Sequence, residues 1–151
     1  MSGPAPRIRP RLSAYVLMLA LFAVGLQAQA RGSVPIVDHR DVAVTTGSGK
    51  AVTAQQVGAA IAAALDNARA EGNYAWARVP AGEGYVGTLR VRSKHTIRVD
   101  ITYSADRYSV LYKDSDNMNY EMKKKGPVIH PYYNTWVRGL VDAINAELAR
   151  L

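Results

Sequence analysis

The chain has no cysteine. Disulfides, thiolate metal sites, a cysteine nucleophile and lipid attachment at a processed amino-terminal cysteine are therefore excluded. Histidine is almost as scarce. His39, His95 and His130 are scattered, and no two stand at the spacing that a metal-ligand pair takes on a helix or strand. Neither a metal nor a cofactor is expected.

Acidic residues are the next shortage: twelve against nineteen lysines and arginines, a formal charge of +7. Part of that excess lies at the start. Arg7, Arg9 and Arg11 precede an uninterrupted apolar run at residues 14–26, and Ala28-Gln29-Ala30 follows with a small-x-small pattern. A basic start, a short apolar centre and an A-x-A site read as a secretory signal peptide, residues 1–30, cut after Ala30. The run is shorter than the ~20 residues that a spanning helix needs. No adjacent Arg-Arg pair marks a twin-arginine route. The alternative is a retained signal segment acting as a membrane anchor. Loss of the leader lowers the charge to +4. That is mild for a nucleic-acid binder, and export argues the same way, so nucleic acid is not an expected partner.

The remaining length suits one domain held by its core alone. Residues 31–52 read as an extended segment and linker, with Pro35 favouring an edge strand. Gly47-Ser48-Gly49-Lys50 looks superficially like a phosphate loop. It lacks the first glycine, at Val44, and the metal-binding hydroxyl, at Ala51. Residues 53–151 read as a single α+β domain. Thr53-Ala54-Gln55-Gln56 has the form of a capping box. Val57, Ala60, Ile61, Ala64, Leu65 and Ala68 then share one helical face, and Gly72 is a natural left-handed terminator.

Strands follow at residues 74–79, 85–92 and 95–103, and from 108 onward. His95-Thr96-Ile97-Arg98-Val99-Asp100-Ile101-Thr102-Tyr103 alternates polar and apolar, the mark of a half-buried strand. Leu89 and Val91 share a face with Ile97 and Val99 only if opposed positions sum to an even number. That favours the three-residue turn Ser93-Lys94-His95. The next hairpin needs an odd sum and predicts Tyr103–Tyr108, Ile101–Val110 and Val99–Tyr112, with the loop at residues 104–107. Residues 114–120 read as an Asx-rich turn, because a calcium loop would need a central glycine and a bidentate glutamate. Asn134 is a good N-cap for a last helix carrying Val137, Leu140, Val141, Ile144 and Leu148 on one stripe. The expected fold is α+β: an antiparallel meander of about four strands, with one helix before it and one after, both on one face.

Three groups of residues are candidates for function. Tyr120, His130, Tyr133, Asn134 and Trp136 form a polar-aromatic set around the last helix. Arg90, Arg92, Arg98 and Lys113 share the expected wet sheet face with Thr88 and Thr102, where a solvated surface is the ordinary reading and an anion-binding face the alternative. Lys123, Lys124 and Lys125 form a basic loop, by default a solvated one, with contact to anionic lipid headgroups or other cell-surface anions as the alternative. Ser115, His130 and an aspartate have the composition of a hydrolase triad, yet nothing sets their geometry and no G-x-S-x-G elbow is present. No catalytic residue is assigned.

The run RVDITYSADRYSVLYKDSDNMNYE, followed by IHPYYNTWVRGLVDAINAEL, resembles a family of small uncharacterised exported proteins and lipoproteins of Gram-negative bacteria. Members show I-x-Y, then Y-S-[IV]-x-Y-x-D-S-x-N-[LM]-x-Y, then I-H-x-x-Y-N-x-W-[IV]-x-x-L. Here these patterns fall at residues 101–103, 108–120 and 129–140, and the likeness spans residues 73–148. The resemblance implies export and an envelope location and carries no catalytic residues. Many members have a lipobox cysteine where this chain has Ala30-Arg31, which implies a soluble periplasmic or secreted form. The expected role is non-enzymatic binding of an envelope protein or ligand. The alternatives are a hydrolase using the Ser/His/Asp set and a membrane-tethered structural protein.

Overall fold

The computed structural model describes Gly3 and residues 32–151; the expected signal peptide, with Ala28 and Ala30, lies outside them. The elements run β1 (Val34–Pro35), β2 (His39–Ala43), α1 (Ala54–Asn67), β3 (Arg69–Ala70), β4 (Tyr74–Ala81), β5 (Gly84–Val91), β6 (His95–Tyr103), β7 (Arg107–Asp116), β8 (Glu121–Lys123), β9 (Gly126–Ile129) and α2 (Tyr132–Leu148). Six strands form one antiparallel sheet in the order β2-β7-β6-β5-β4-β3, and β1-β9-β8 form a second, small sheet. The expected four-strand meander is its centre. The amino-terminal segment, read as a source of an edge strand, adds β2 to β7, and an unexpected two-residue strand, β3, adds to β4.

The alternation in β6 does what its period demands. Ile97, Val99 and Ile101 are buried, against Leu89, Gly87 and Tyr85 on one side and Ser115, Tyr112 and Val110 on the other. The Tyr103–Tyr108, Ile101–Val110 and Val99–Tyr112 pairs all form. Both helices cover this face. A Cβ on Gly87 would meet Leu65 of α1 and Val99 together, and the ring of Tyr103 lies against Gly58 of α1. From α2, Asn145 Oδ1 accepts the Tyr108 hydroxyl at 2.7 Å. Burial, and then the Asp142 carboxylate, push that phenol up to about 12 against the opposing effect of the Asn145 bond. Val57, Ile61 and Leu65 of α1 meet Val137, Leu140, Ile144 and Leu148 of α2 in the same core. Each such side chain contributes on the order of 1.5–3 kcal/mol by leaving water.

Local chemistry explains where the sequence-based expectations shift. The capping box forms: Thr53 Oγ1 accepts from the Gln56 amide and Gln56 Oε1 from the Thr53 amide. The helix stops sooner than expected, at Asn67. Gly72 (φ +83) and Asn73 (φ +66) turn the chain between β3 and β4 instead of capping α1. Arg78 of β4 grips Asp66 of α1 through both guanidinium and carboxylate edges, at 2.8 and 2.9 Å. The β5–β6 turn has three residues with the expected parity, but they are residues 92–94, with Val91 opposite His95. The Asx-rich stretch begins later than expected. Asp114, Ser115 and Asp116 still pair with β6, after a bulge at Lys113, and only Asn117 and Asn119 leave the strand through left-handed backbone. α2 starts one turn earlier than expected, at Tyr132, with no side-chain cap. Among the described residues, no helix is long and apolar enough to cross a membrane.

Candidate functional site

An antiparallel meander sends alternate turns to the same end of the sheet. The β3–β4 turn and the β5–β6 turn therefore sit side by side, and β7 also finishes there. The first turn of α2 closes over that end. Between these parts lies a cleft of about 300 Å³, lined by Glu71, Tyr74, Val91, Arg92, His95, Tyr132 and Trp136. A second cavity, about 80 Å³, shares His95, Tyr132 and Trp136 with it and adds Met118 and His130.

The aromatic wall follows from helix geometry. Tyr132 and Trp136 are four residues apart, one above the other on the same face. Their rings stack with centroids 5.6 Å apart and planes 15° from parallel. Trp136 is buried, while Tyr132 forms the exposed lip. His130 packs its ring on Tyr132 at 5.0 Å. Its Nδ1 accepts the Tyr132 amide at 3.2 Å, so the neutral ring carries its proton on Nε2. His95 takes the opposite tautomer. Its Nδ1 lies 2.7 Å from the Asn117 carbonyl, which only accepts, so Nδ1 is the protonated nitrogen.

The polar wall rests on strained backbone. Arg92 (φ +54) and Ser93 (φ +51) are both left-handed, and the Lys94 amide closes the turn on the Val91 carbonyl at 3.1 Å. That conformation costs a non-glycine residue roughly 1–2 kcal/mol. Here it places Arg92 on the cleft wall. Among the described residues Arg92 takes part in no ion pair.

The polar-aromatic set expected around α2 is split by the fold. His130 and Trp136 line the cleft or its neighbouring cavity. Tyr133, next to Tyr132 on the helix, points the other way and is fully buried. Tyr112 packs on Tyr133 edge-on at 5.5 Å and stacks on Tyr120 at 5.0 Å, so Tyr120 belongs to that second cluster. Asn134 is not the helix cap. Its Oδ1 accepts the Val37 amide at 3.0 Å and its Nδ2 donates to the Pro35 carbonyl at 2.9 Å, clamping the amino-terminal segment to α2. Ser115 shares a 3.0 Å hydrogen bond with the Tyr112 hydroxyl, so it too belongs to the Tyr112 cluster rather than the cleft.

The Tyr133 hydroxyl is buried and, among the described residues, has no hydrogen-bond partner. Burial, and then the Asp38 carboxylate, hold its pKa well above the usual phenol range. Removing an unsatisfied buried hydroxyl does not leave a partner stranded. Tyr133→Phe is thus expected to raise stability by about 1 kcal/mol, read as a higher denaturation midpoint. A loss of similar size would show that the hydroxyl is bonded.

The basic residues expected on the wet sheet face do not form one anion surface. Arg98 pairs with Asp114 and, at 3.5 Å, with Asp116. Lys113 pairs with Asp100 at 3.0 Å. Arg92 has left the strand for the turn, and Arg90 remains exposed opposite Thr96. Lys123, Lys124 and Lys125 span the β8–β9 turn and line a separate hollow that shares no residue with the cleft.

Sequence reasoning passed over Glu71, Tyr74, His95 and Tyr132 as site residues. The usable signal was topological: two turns at one end of a meander, beside a helix start with aromatics at i and i+4. Among the described residues, no three of His, Asp and Glu gather as a metal site. Compared with protein-family models, curated proteins and solved structures, the chain matches none.

Proposed function

We propose that this chain is a non-enzymatic binding protein of the cell envelope, exported through the leader at residues 1–30, and that its ligand sits in the cleft beside Trp136. The export part rests on the basic start, the apolar run and the A-x-A site, together with the family resemblance. The binding part rests above all on Arg92: a guanidinium in no ion pair among the described residues, on a strained turn, in the wall of a cleft that also holds a stacked Tyr132–Trp136 pair. Strain of this kind persists where the surrounding structure enforces it, and it gathers at ligand sites.

The lining selects the ligand chemistry. A flat apolar or aromatic face would lie along the Tyr132 and Tyr74 walls. A carboxylate or phosphate would meet Arg92, and a donor group would suit Glu71. A cleft of this volume is at the small end for ligand sites and fits a small molecule or one peptide residue.

Trp136 reports on occupancy, because Trp76 is buried elsewhere in the core. Titrating a panel of aromatic carboxylates and phosphates is expected to change the tryptophan emission. Arg92→Ala should weaken the best ligand by about tenfold or more, the scale of a charge-assisted hydrogen bond. Tyr132→Ala should weaken it severalfold through the lost ring contact. Equal affinity in wild type and both variants would place the ligand elsewhere.

A further inference from the structure

We propose that the β8–β9 hairpin docks the protein onto an anionic lipid bilayer. The hairpin stands outside the six-stranded sheet. Among the described residues β8 pairs only with β9, and β9 pairs on its other side with β1. Met122 lies opposite Pro127, whose carbonyl accepts the Ile36 amide at 3.2 Å; Glu121 lies opposite Val128, which pairs with Pro35. The register puts Met122 beside Pro127 on one face of the hairpin and Val128 beside Pro35 on the other, and all four border an open hollow of about 620 Å³. Met122 is 65% exposed, more than any other large apolar side chain described.

Three lysines sit on the same turn. Lys123 lies 3.5 Å from Glu121, an exposed and therefore weak pair. Lys124 and Lys125 take part in no ion pair among the described residues. An apolar patch alone would suit a protein partner, and a lysine run alone would suit any polyanion. Their adjacency on one hairpin fits a surface that is anionic at the level of the headgroups and apolar just below it. Lysine stems lie along the apolar patch while the ammonium groups reach the phosphates. Each lysine near such a surface is worth roughly a fivefold gain in partitioning. Three lysines and one methionine give weak, reversible attachment that complements binding in the cleft, with which the hairpin shares no residue.

The test is vesicle sedimentation with the full chain. Phosphatidylcholine vesicles are compared with vesicles in which about a third of the lipid is phosphatidylglycerol, at low and high salt. Binding is expected only to the anionic vesicles and is expected to fall with salt. The double variant Lys124→Glu, Lys125→Glu should lose roughly twenty-five-fold or more, and Met122→Ser severalfold. Thermal melts of these surface variants should match wild type. Binding that ignores the hairpin substitutions would assign attachment to the leader and overturn the proposal. So would sedimentation insensitive to Met122 and abolished by soluble polyphosphate, which would make the hairpin a general polyanion site. No binding to anionic vesicles would overturn it too, leaving the cleft reading untouched.

Discussion

Val99→Asp is expected to leave no folded protein, while Arg98→Ala, one residue away, is expected to cost no more than about 1 kcal/mol. Val99 is fully buried at the centre of β6, between Gly87 and Tyr112, under the α1 residue Leu65. A carboxylate there would lose its water and find no cation, at a cost of several kcal/mol. Total stability for such a domain is about 5–15 kcal/mol, with no disulfide to add to it. Arg98 faces the other way, partly exposed, and its pairs with Asp114 and Asp116 are screened by solvent. Thermal denaturation followed by circular dichroism reads both. A cooperative transition in Val99→Asp would mean that the odd-numbered row of β6 is not the core.

The second large effect belongs to Gly84, where β5 begins. A Cβ at this position would lie 2.0 Å from the Ile101 carbonyl oxygen and 3.1 Å from its carbon. Both are backbone atoms of the central strand, so the clash cannot be relieved by a rotamer change. β5 and β6 would have to separate where Tyr85 pairs with Ile101. Gly84→Ala is expected to cost about 3 kcal/mol or more, lowering Tm on the order of 10 °C. Gly139 in α2 is the control, because a Cβ there meets nothing within 4 Å. Gly139→Ala should stabilise by up to about 1 kcal/mol, through helix propensity. If the two substitutions shifted Tm equally, the close approach of β5 to β6 would not exist.

The sheet was legible because its alternation is strict. Once Ile97, Val99 and Ile101 must face the core, the parity of each hairpin follows, and the β6–β7 pairs fall where parity puts them. Parity does not choose between turns that differ by one residue on each arm, which is why the β5–β6 turn sits one position earlier than expected. Its left-handed residues are Arg92 and Ser93, neither of which announces that conformation as glycine or asparagine would. The edge strands were less visible. β3 has two residues, and β2 carries a bulge and a left-handed Asp41 that break the alternation of its segment.

The candidate site was only half legible, for a different reason. Tyr132, Tyr133, Asn134 and Trp136 are adjacent in sequence, but a helix turns each residue by about 100° from the last. Adjacency therefore grouped side chains that the fold sends to the cleft, the core and the amino-terminal clamp. The residues facing Trp136 come from turns 40 to 65 positions earlier, joined to it by topology and not by any local motif.

Amide chemical shifts on titration with the tightest aromatic acid test the cleft most directly. The expected result is a set of shifts confined to the β3–β4 turn, the β5–β6 turn and the start of α2, lost in Arg92→Ala. Shifts centred on Tyr112 and Tyr120, or unchanged by the loss of Arg92, would contradict it.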